Sequence, residues 1–345
     1  MNLVRILNAE PLNYSPKARK ILQSVGEVHE KTLTRDELIG CLNDFHVLIV
    51  RLGFQVDQEV IRAGSNLKAI VTATTGLDHI DLEAAAEQGV SVLSLQGQFE
   101  FLTSIYATAE HTWALLLALI RKIPSAMTSV MQEQWDRDLF RGNELHGKVL
   151  GVVGYGRLGQ KIVRYGQAFG MQVIVYDPYK KVDVSSQVKQ ADTLDELLTA
   201  SDVVSLHVPL NEETHHLISN PELKLMKPGS LLVNTSRGAV IDEEALLRAL
   251  LSRHLGGAAL DVLCNEANLF SQGKHDLIEY AKANNNLLIT PHIAGATHES
   301  MEKTEIFMAR KLSRFYAKRK KPHTRFAKNG PHPPAPSPNN RRGGE

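Results

Sequence analysis

The run VLGVVGYGRLGQKIVRYGQAF, residues 149–169, sets a G-x-G-x-x-G pattern between an apolar β-type segment and a helical one. Its glycines are Gly154, Gly156 and Gly159, with Arg157 and Leu158 inside the turn. A strand that ends in such a turn and runs into a helix suits a dinucleotide. The first glycine permits the tight turn, the second lets backbone approach a pyrophosphate, and the third lets the helix pack closely on the strand. The pyrophosphate then meets free N–H groups at the positive end of the helix dipole. The arrangement also needs an acid at the end of the next strand. Asp177 closes QVIVYD (172–177), 18 residues after Gly159. Its carboxylate accepts from the adenosine ribose hydroxyls and repels a 2′-phosphate, so NAD is the expected cofactor. Lys180 and Lys181 nearby soften that preference over NADP.

Short apolar segments recur beyond this unit, at 203–208 (VVSLHV), 230–234 (SLLVN), 257–262 (GAALDV) and 286–290 (NLLIT). With 149–153 and 172–176 they make six strands separated by helical segments, which is the pattern of a doubly wound α/β sheet. Toward the N-terminus, 3–8, 47–51, 67–72 and 90–95 read as four further buried strands, with helices at 16–25 and 34–43. They give a second parallel α/β unit. A long helix is expected over 103–123, with Ile105, Ala109, Leu116 and Ile120 at helical spacing and Pro124 marking its end. A final helix is expected at 297–317. From Lys318 the chain leads into PHPPAPSPNNRRGG (331–344), which cannot build a core and is expected to be disordered.

At 43% hydrophobic and 22% charged, the 345 residues supply material for two cores. No apolar run reaches the roughly 18 residues needed to span a bilayer. MNLVRILNAE (1–10) lacks the features of a secretory signal. Cys41 and Cys264 form neither a disulfide framework nor a metal-ligand spacing, so a cytoplasmic protein without a metal is expected. The net charge of +1 conceals a basic end, because residues 1–309 carry 28 basic against 37 acidic side chains. An acidic body is a poor partner for nucleic acid, whose affinity comes largely from phosphate neutralisation.

Three polar residues follow the later strands. Arg237 follows SLLVNTS (230–236), Glu266 follows GAALDVLCN (257–265) and His292 follows NLLITP (286–291). Open α/β sheets place their sites at such strand ends. Any one of the three alone is an ordinary surface or turn residue. Three chemically suitable types at three neighbouring strand ends mark a candidate site.

With TTGLDHIDLEAA (74–85), ATAEHTWALLLALIRKIP (107–124), LHGKVLGVVGYGRLG (145–159), LVNTSRGAVIDEEALLRAL (232–250), ALDVLCNEA (259–267) and TPHIAGAT (290–297), the chain resembles the D-2-hydroxyacid dehydrogenase family. Within it the phosphoglycerate dehydrogenase branch is the nearest match, over about residues 3–317. Few other families share even three of these motifs. The resemblance implies an NAD-dependent oxidoreductase that moves a hydride between nicotinamide and C2 of a D-2-hydroxy acid or 2-keto acid, with 3-phosphoglycerate one candidate among several. It implies two Rossmann-like domains. A flavodoxin-like substrate-binding domain is formed by 1–102 plus 296–317, an NAD-binding domain by 103–295 is inserted into it, and the tail is 318–345.

The resemblance also assigns roles. His292 is the general acid/base that takes the hydroxyl proton during oxidation, work that suits a side chain titrating near neutrality. Glu266 holds the imidazole and stabilises its charged form. Arg237 clamps the substrate carboxylate with its planar fork and polarises the C2 oxygen. N–H groups around Thr75 and Gly76 join that clamp. Further cofactor contacts map to Thr75, Val208, Thr235, Ser236, Arg237, Asp261, His292 and Gly295, with Asp261 facing the nicotinamide amide. Arg51, at the end of VLIVR (47–51), matches an arginine that holds a substrate phosphate in that branch, although LGFQ (52–55) lacks the branch's small polar residues. A homodimer is implied, with 124–146 as an arm carrying Met127, Val130, Met131, Trp135, Leu139 and Phe140 across a two-fold axis. The C-terminal binding proteins, transcriptional corepressors, also resemble this family, so a non-catalytic dinucleotide sensor is the alternative reading. Two departures stand out. Ala267 stands where the family often has Pro, and the 26 positions from Glu266 to His292 are more than usual. An extra turn or helix beside the cleft is therefore expected within FSQGKHDLIEYAKANNN (270–286).

Overall fold

Runs such as VLIV, AIVT and VVSL are buried on both faces, as strands of a helix-covered parallel sheet must be. The structure is a computed structural model and describes residues 3–182, 187–266, 269–270 and 273–320. The first sheet contains β1 (Arg5–Asn8), β2 (Glu27–Glu30), β3 (Val47–Val50), β4 (Ala69–Thr72) and β5 (Ser91–Leu93), in the order β2-β1-β3-β4-β5. This is the flavodoxin-like winding. The second contains β6 (Val149–Val153), β7 (Gln172–Tyr176), β8 (Val188–Gln190), β9 (Val203–Leu206), β10 (Leu231–Asn234), β11 (Gly257–Leu260) and β12 (Leu287–Ile289). Its order, β12-β11-β10-β9-β6-β7-β8, is the dinucleotide-binding winding with one strand added beyond β11.

The two sheets hold strands that the sequence did not announce. β2 (EVHE) and β8 (VKQ) are edge strands with one apolar residue each, and no hydrophobic run betrays them. The single helix expected over 103–123 is three helices, Phe99–Thr103, Ala107–Ile120 and Ile123–Met131. Lys122 turns the chain with a φ of 53°, and Pro124 sits in the first turn of the third helix instead of ending the second. A fixed φ and a missing N–H cost nothing there. A further helix, Asp276–Ala283, fills part of the long segment before β12, as its length implied.

Helix Ala107–Ile120 packs Trp113, Leu116 and Leu119 against Leu150, Val152 and Ile162 of the second sheet and its covering helix. Each such side chain, fully buried, contributes about 1.5–3 kcal/mol. The last helix, His298–Lys320, runs three residues past its expected end, and the Pro-rich tail beyond it lies outside the described residues. It buries Met308, Ala309 and Leu312 among Ile6, Val47 and Val71, so the chain returns to the first sheet after winding through the second. Among the described residues, no single helix is long and apolar enough to cross a membrane, and no group of three or more His, Cys, Asp or Glu is placed to hold a metal ion.

Candidate active site

The glycine turn after β6 is fixed by what surrounds it. Gly154 has a φ of 95°, and a Cβ there would lie 2.5 Å from the His207 carbonyl oxygen. A Cβ on Gly159 would collide with the Gly154 carbonyl. Gly156 has nothing within 4 Å of its Cβ position, which leaves open space at the start of helix Arg157–Ala168 for a pyrophosphate. Asp177 stands beside the turn. Its Oδ2 accepts the Tyr155 N–H at 2.8 Å and its Oδ1 the Tyr179 N–H at 2.9 Å. These residues fit a dinucleotide with free ribose hydroxyls. The Arg157 side chain points elsewhere and donates to the Leu102 carbonyl at 3.3 Å, while Leu158 packs against the core of the second sheet.

The other expected cofactor residues lie at the ends of β4 and β9–β12. Val208, after β9, packs partly into the core. Thr235, after β10, is buried with its hydroxyl 2.8 Å from that of Thr112. The Ser236 hydroxyl donates to Asn234 Oδ1 at 2.6 Å. Asn234 also donates to the Arg237 carbonyl at 2.8 Å, so this side chain, unnoticed in the sequence, shapes the turn that presents Arg237. Thr75 and Gly295 are exposed on the turns after β4 and β12.

His292 and Glu266 meet directly, with Nδ1 2.6 Å from Oε2. The other carboxylate oxygen of Glu266 accepts the Leu263 N–H at 3.1 Å, which fixes its aim. His292 has a φ of 53°, a left-handed conformation that costs a residue other than glycine about 1–3 kcal/mol. Asp261 holds it there. The Asp261 carbonyl accepts the His292 N–H at 2.8 Å, and the carboxylate accepts the N–H groups of Ile293 and Ala294 at 2.9 and 2.8 Å and the Thr290 hydroxyl at 2.5 Å. His111 Nε2 closes the cluster 3.0 Å from the same hydroxyl. The Asp261 side chain is 0% exposed, so the carboxylate expected to face the nicotinamide amide is enclosed and holds the His292 turn.

Arg237 follows β10 and reaches across to Asp78 and Gly76, on the turn after β4 of the first sheet. Its Nε donates to Asp78 Oδ1 at 2.9 Å and its Nη1 to the Ser236 carbonyl at 2.8 Å. Nη2 lies against Gly76, where any Cβ would collide with it. Burial pushes the Asp78 carboxyl up, but the charge and hydrogen bond of Arg237 outweigh that and hold it below the usual range. Next to it, burial pushes His79 from 6.5 down to about 4, so it is neutral at pH 7. The unfolded chain then binds the extra proton first, and this contribution to stability is full above pH 6.5 and is lost as pH falls toward about 4. His79→Gln is expected to flatten that part of a plot of Tm against pH. An unchanged acid limb would contradict this account of His79.

Behind Glu266, the Cys264 N–H donates to Glu243 Oε1 at 2.7 Å, and Glu243 Oε2 lies 3.2 Å from His275 Nε2. Burial, then the Glu243 charge, pushes the Cys264 thiol up to about 12, which removes it as a thiolate nucleophile near neutral pH. Arg51 directly follows β3 on the first-sheet side, with its guanidinium against Glu305.

Residues 113–294 match the family described as D-isomer specific 2-hydroxyacid dehydrogenase, NAD binding domain. The D-3-phosphoglycerate dehydrogenase of Methanocaldococcus jannaschii is 39% identical over 315 residues, covering 90% of this chain and 57% of that protein. The hydroxypyruvate reductase of Thermotoga maritima is 38% identical over 286 residues, covering 83% of this chain and 90% of that protein. The chain thus spans little more than half the length of the first relative and most of the second. The crystal structure of D-lactate dehydrogenase from Aquifex aeolicus, complexed with NAD and lactic acid, superposes with a TM-score of 0.79 at 31% identity, covering 91% of this chain and 96% of that one. The family match over 113–294, the relatives at 38–39% identity and the glycine turn and His292–Glu266 pair in place make this chain a member of the D-isomer specific 2-hydroxyacid dehydrogenase family.

Proposed function

We propose that the protein is an NAD-dependent dehydrogenase that transfers a hydride between nicotinamide and C2 of a D-2-hydroxy acid or 2-keto acid. The observation that carries this reading is the 2.6 Å contact between His292 Nδ1 and Glu266, which leaves Nε2 to face a substrate. Bound NAD supplies the hydride chemistry, and the chain supplies position and proton transfer. His292 Nε2 takes the hydroxyl proton during oxidation and returns it during reduction. Glu266 stabilises the imidazolium so formed. Arg237, steadied at Nε by Asp78, turns Nη2 toward the substrate carboxylate beside Gly76. The names of the relatives suggest 3-phosphoglycerate or hydroxypyruvate as the acid. Purified protein with NADH and a panel of 2-keto acids is expected to turn over. NADH binding without turnover on any of them would favour the dinucleotide sensor.

The substrate-binding domain of this reading is 1–102 with 296–317, and the NAD-binding domain is 103–295. Asp177→Ala is expected to narrow the preference for NAD over NADP. Equal use of both cofactors by wild type would contradict the role given to Asp177. A homodimer is part of the same proposal. Met131 is 74%, Trp135 88% and Leu139 63% exposed on the 124–146 arm, apolar surface that a second copy would cover. Light scattering at micromolar concentration should give twice the chain mass, and a monomer would contradict it.

A further inference from the structure

The arginine expected at a substrate phosphate already has its charge committed. Arg51 Nη2 lies 2.5 Å from Glu305 Oε1, and Nη1 donates to the Leu12 carbonyl at 3.0 Å. Glu305 is only 2% exposed, and its Oε2 accepts the Ser15 N–H at 2.6 Å. Tyr14 flanks the pair, its ring centroid 5.8 Å from the guanidinium carbon. Burial and then the Glu305 charge push its phenol up, so it adds no charge. A second carboxylate fills the backbone of the same loop. Glu10 Oε2 accepts the Arg51 N–H at 2.5 Å and Oε1 accepts the Gly53 N–H at 3.0 Å. Two N–H groups suited to an anionic oxygen already hold one.

This loop borders the carboxylate clamp. β3 pairs with β4, whose following turn sets Gly76 against Arg237, and Gln55 Nε2 donates to the Asp78 carbonyl at 3.3 Å. A substrate held by Arg237 therefore has the 51–55 loop as a neighbour on the first-sheet side. The guanidinium there faces the Glu305 carboxylate, and the N–H groups of the loop face the Glu10 carboxylate. A phosphate could recruit Arg51 only by leaving Glu305 buried without its cation, which is strongly unfavourable. A hydroxyl or methyl group asks for no such exchange.

We infer that the protein selects 2-keto acids with an uncharged substituent beyond C2 and rejects the acid phosphorylated at C3, with Glu305 as the specificity-determining residue. The inference rests on the dehydrogenase reading above and narrows its substrate class. The test is initial rates with NADH on hydroxypyruvate, pyruvate and glyoxylate against 3-phosphohydroxypyruvate. For wild type, kcat/KM on the best uncharged acid is expected to exceed that on the phosphorylated acid by about tenfold or more, since placing like charges together is costly. Glu305→Gln frees Arg51 and is expected to raise the phosphorylated-to-unphosphorylated ratio. Glu10→Gln leaves the buried pair intact and is expected to raise it as well, so the test survives if the buried substitution fails to fold. A purely structural role would lower both rates and leave the ratio alone. Preference of wild type for the phosphorylated acid, or an unchanged ratio in the folded variants, overturns the inference and leaves the dehydrogenase reading standing. Turnover of no 2-keto acid overturns both.

Discussion

Replacing His292 with alanine is expected to lower kcat by about 100- to 10,000-fold, the usual contribution of a positioned general acid/base. NADH affinity should change little, because the glycine turn and Asp177 lie at the ends of β6 and β7, away from the turn after β12. The variant also removes a side chain from a left-handed position that Asp261 continues to hold by backbone contacts, so the turn itself should survive. Glu266→Gln removes the charge beside Nδ1 and leaves the hydrogen-bonding shape nearly intact. It is expected to displace the pH–rate profile while keeping part of the activity. An alanine variant with near wild-type kcat would contradict the role given to His292.

Arg237→Ala is expected to act on binding as well as on rate. A hydrogen bond to a charged group is worth about 1.5–3 kcal/mol, so loss of the Nη2 contact with the carboxylate should lower kcat/KM by about 10- to 100-fold, with KM raised. Gly76→Ala offers an independent route to the same defect, because its Cβ would collide with Arg237 Nη2 and push the guanidinium aside. Steady-state kinetics on both variants checks this. A wild-type KM in Arg237→Ala would show that the clamp lies elsewhere.

The folding pattern was readable wherever burial writes itself as an apolar run. β6, β7 and β9–β12 all show it, and the glycine turn adds spacing that depends on backbone geometry alone. β2 and β8 escaped because an edge strand of three or four residues needs only one buried face and carries one valine each. Pro124 misled because proline both ends helices and begins them, and only the left-handed Lys122 before it decides between the two. In the site, strand ends marked Arg237, Glu266 and His292, but partnerships across the chain left no local trace. Asp78 stands within TTGLDHIDLEAA, yet nothing nearby points to an arginine 159 positions on. His111 likewise sits in a core helix and reaches Thr290 from 179 positions away. Glu305 did leave a signal. It lies three, four and seven residues before the buried Met308, Ala309 and Leu312, so a helical count places a carboxylate on the apolar stripe. A charge at a core position demands a partner, and Arg51 is that partner.

Reduction of a 2-keto acid with NADH deuterated at C4 of the nicotinamide on the transferred face tests the central claim most directly. The account predicts deuterium at C2 of the product and a D configuration there, read by NMR and by chiral chromatography, with the signal lost in His292→Ala. Product of the L configuration, product without deuterium at C2, or NADH that is bound and never consumed would contradict it.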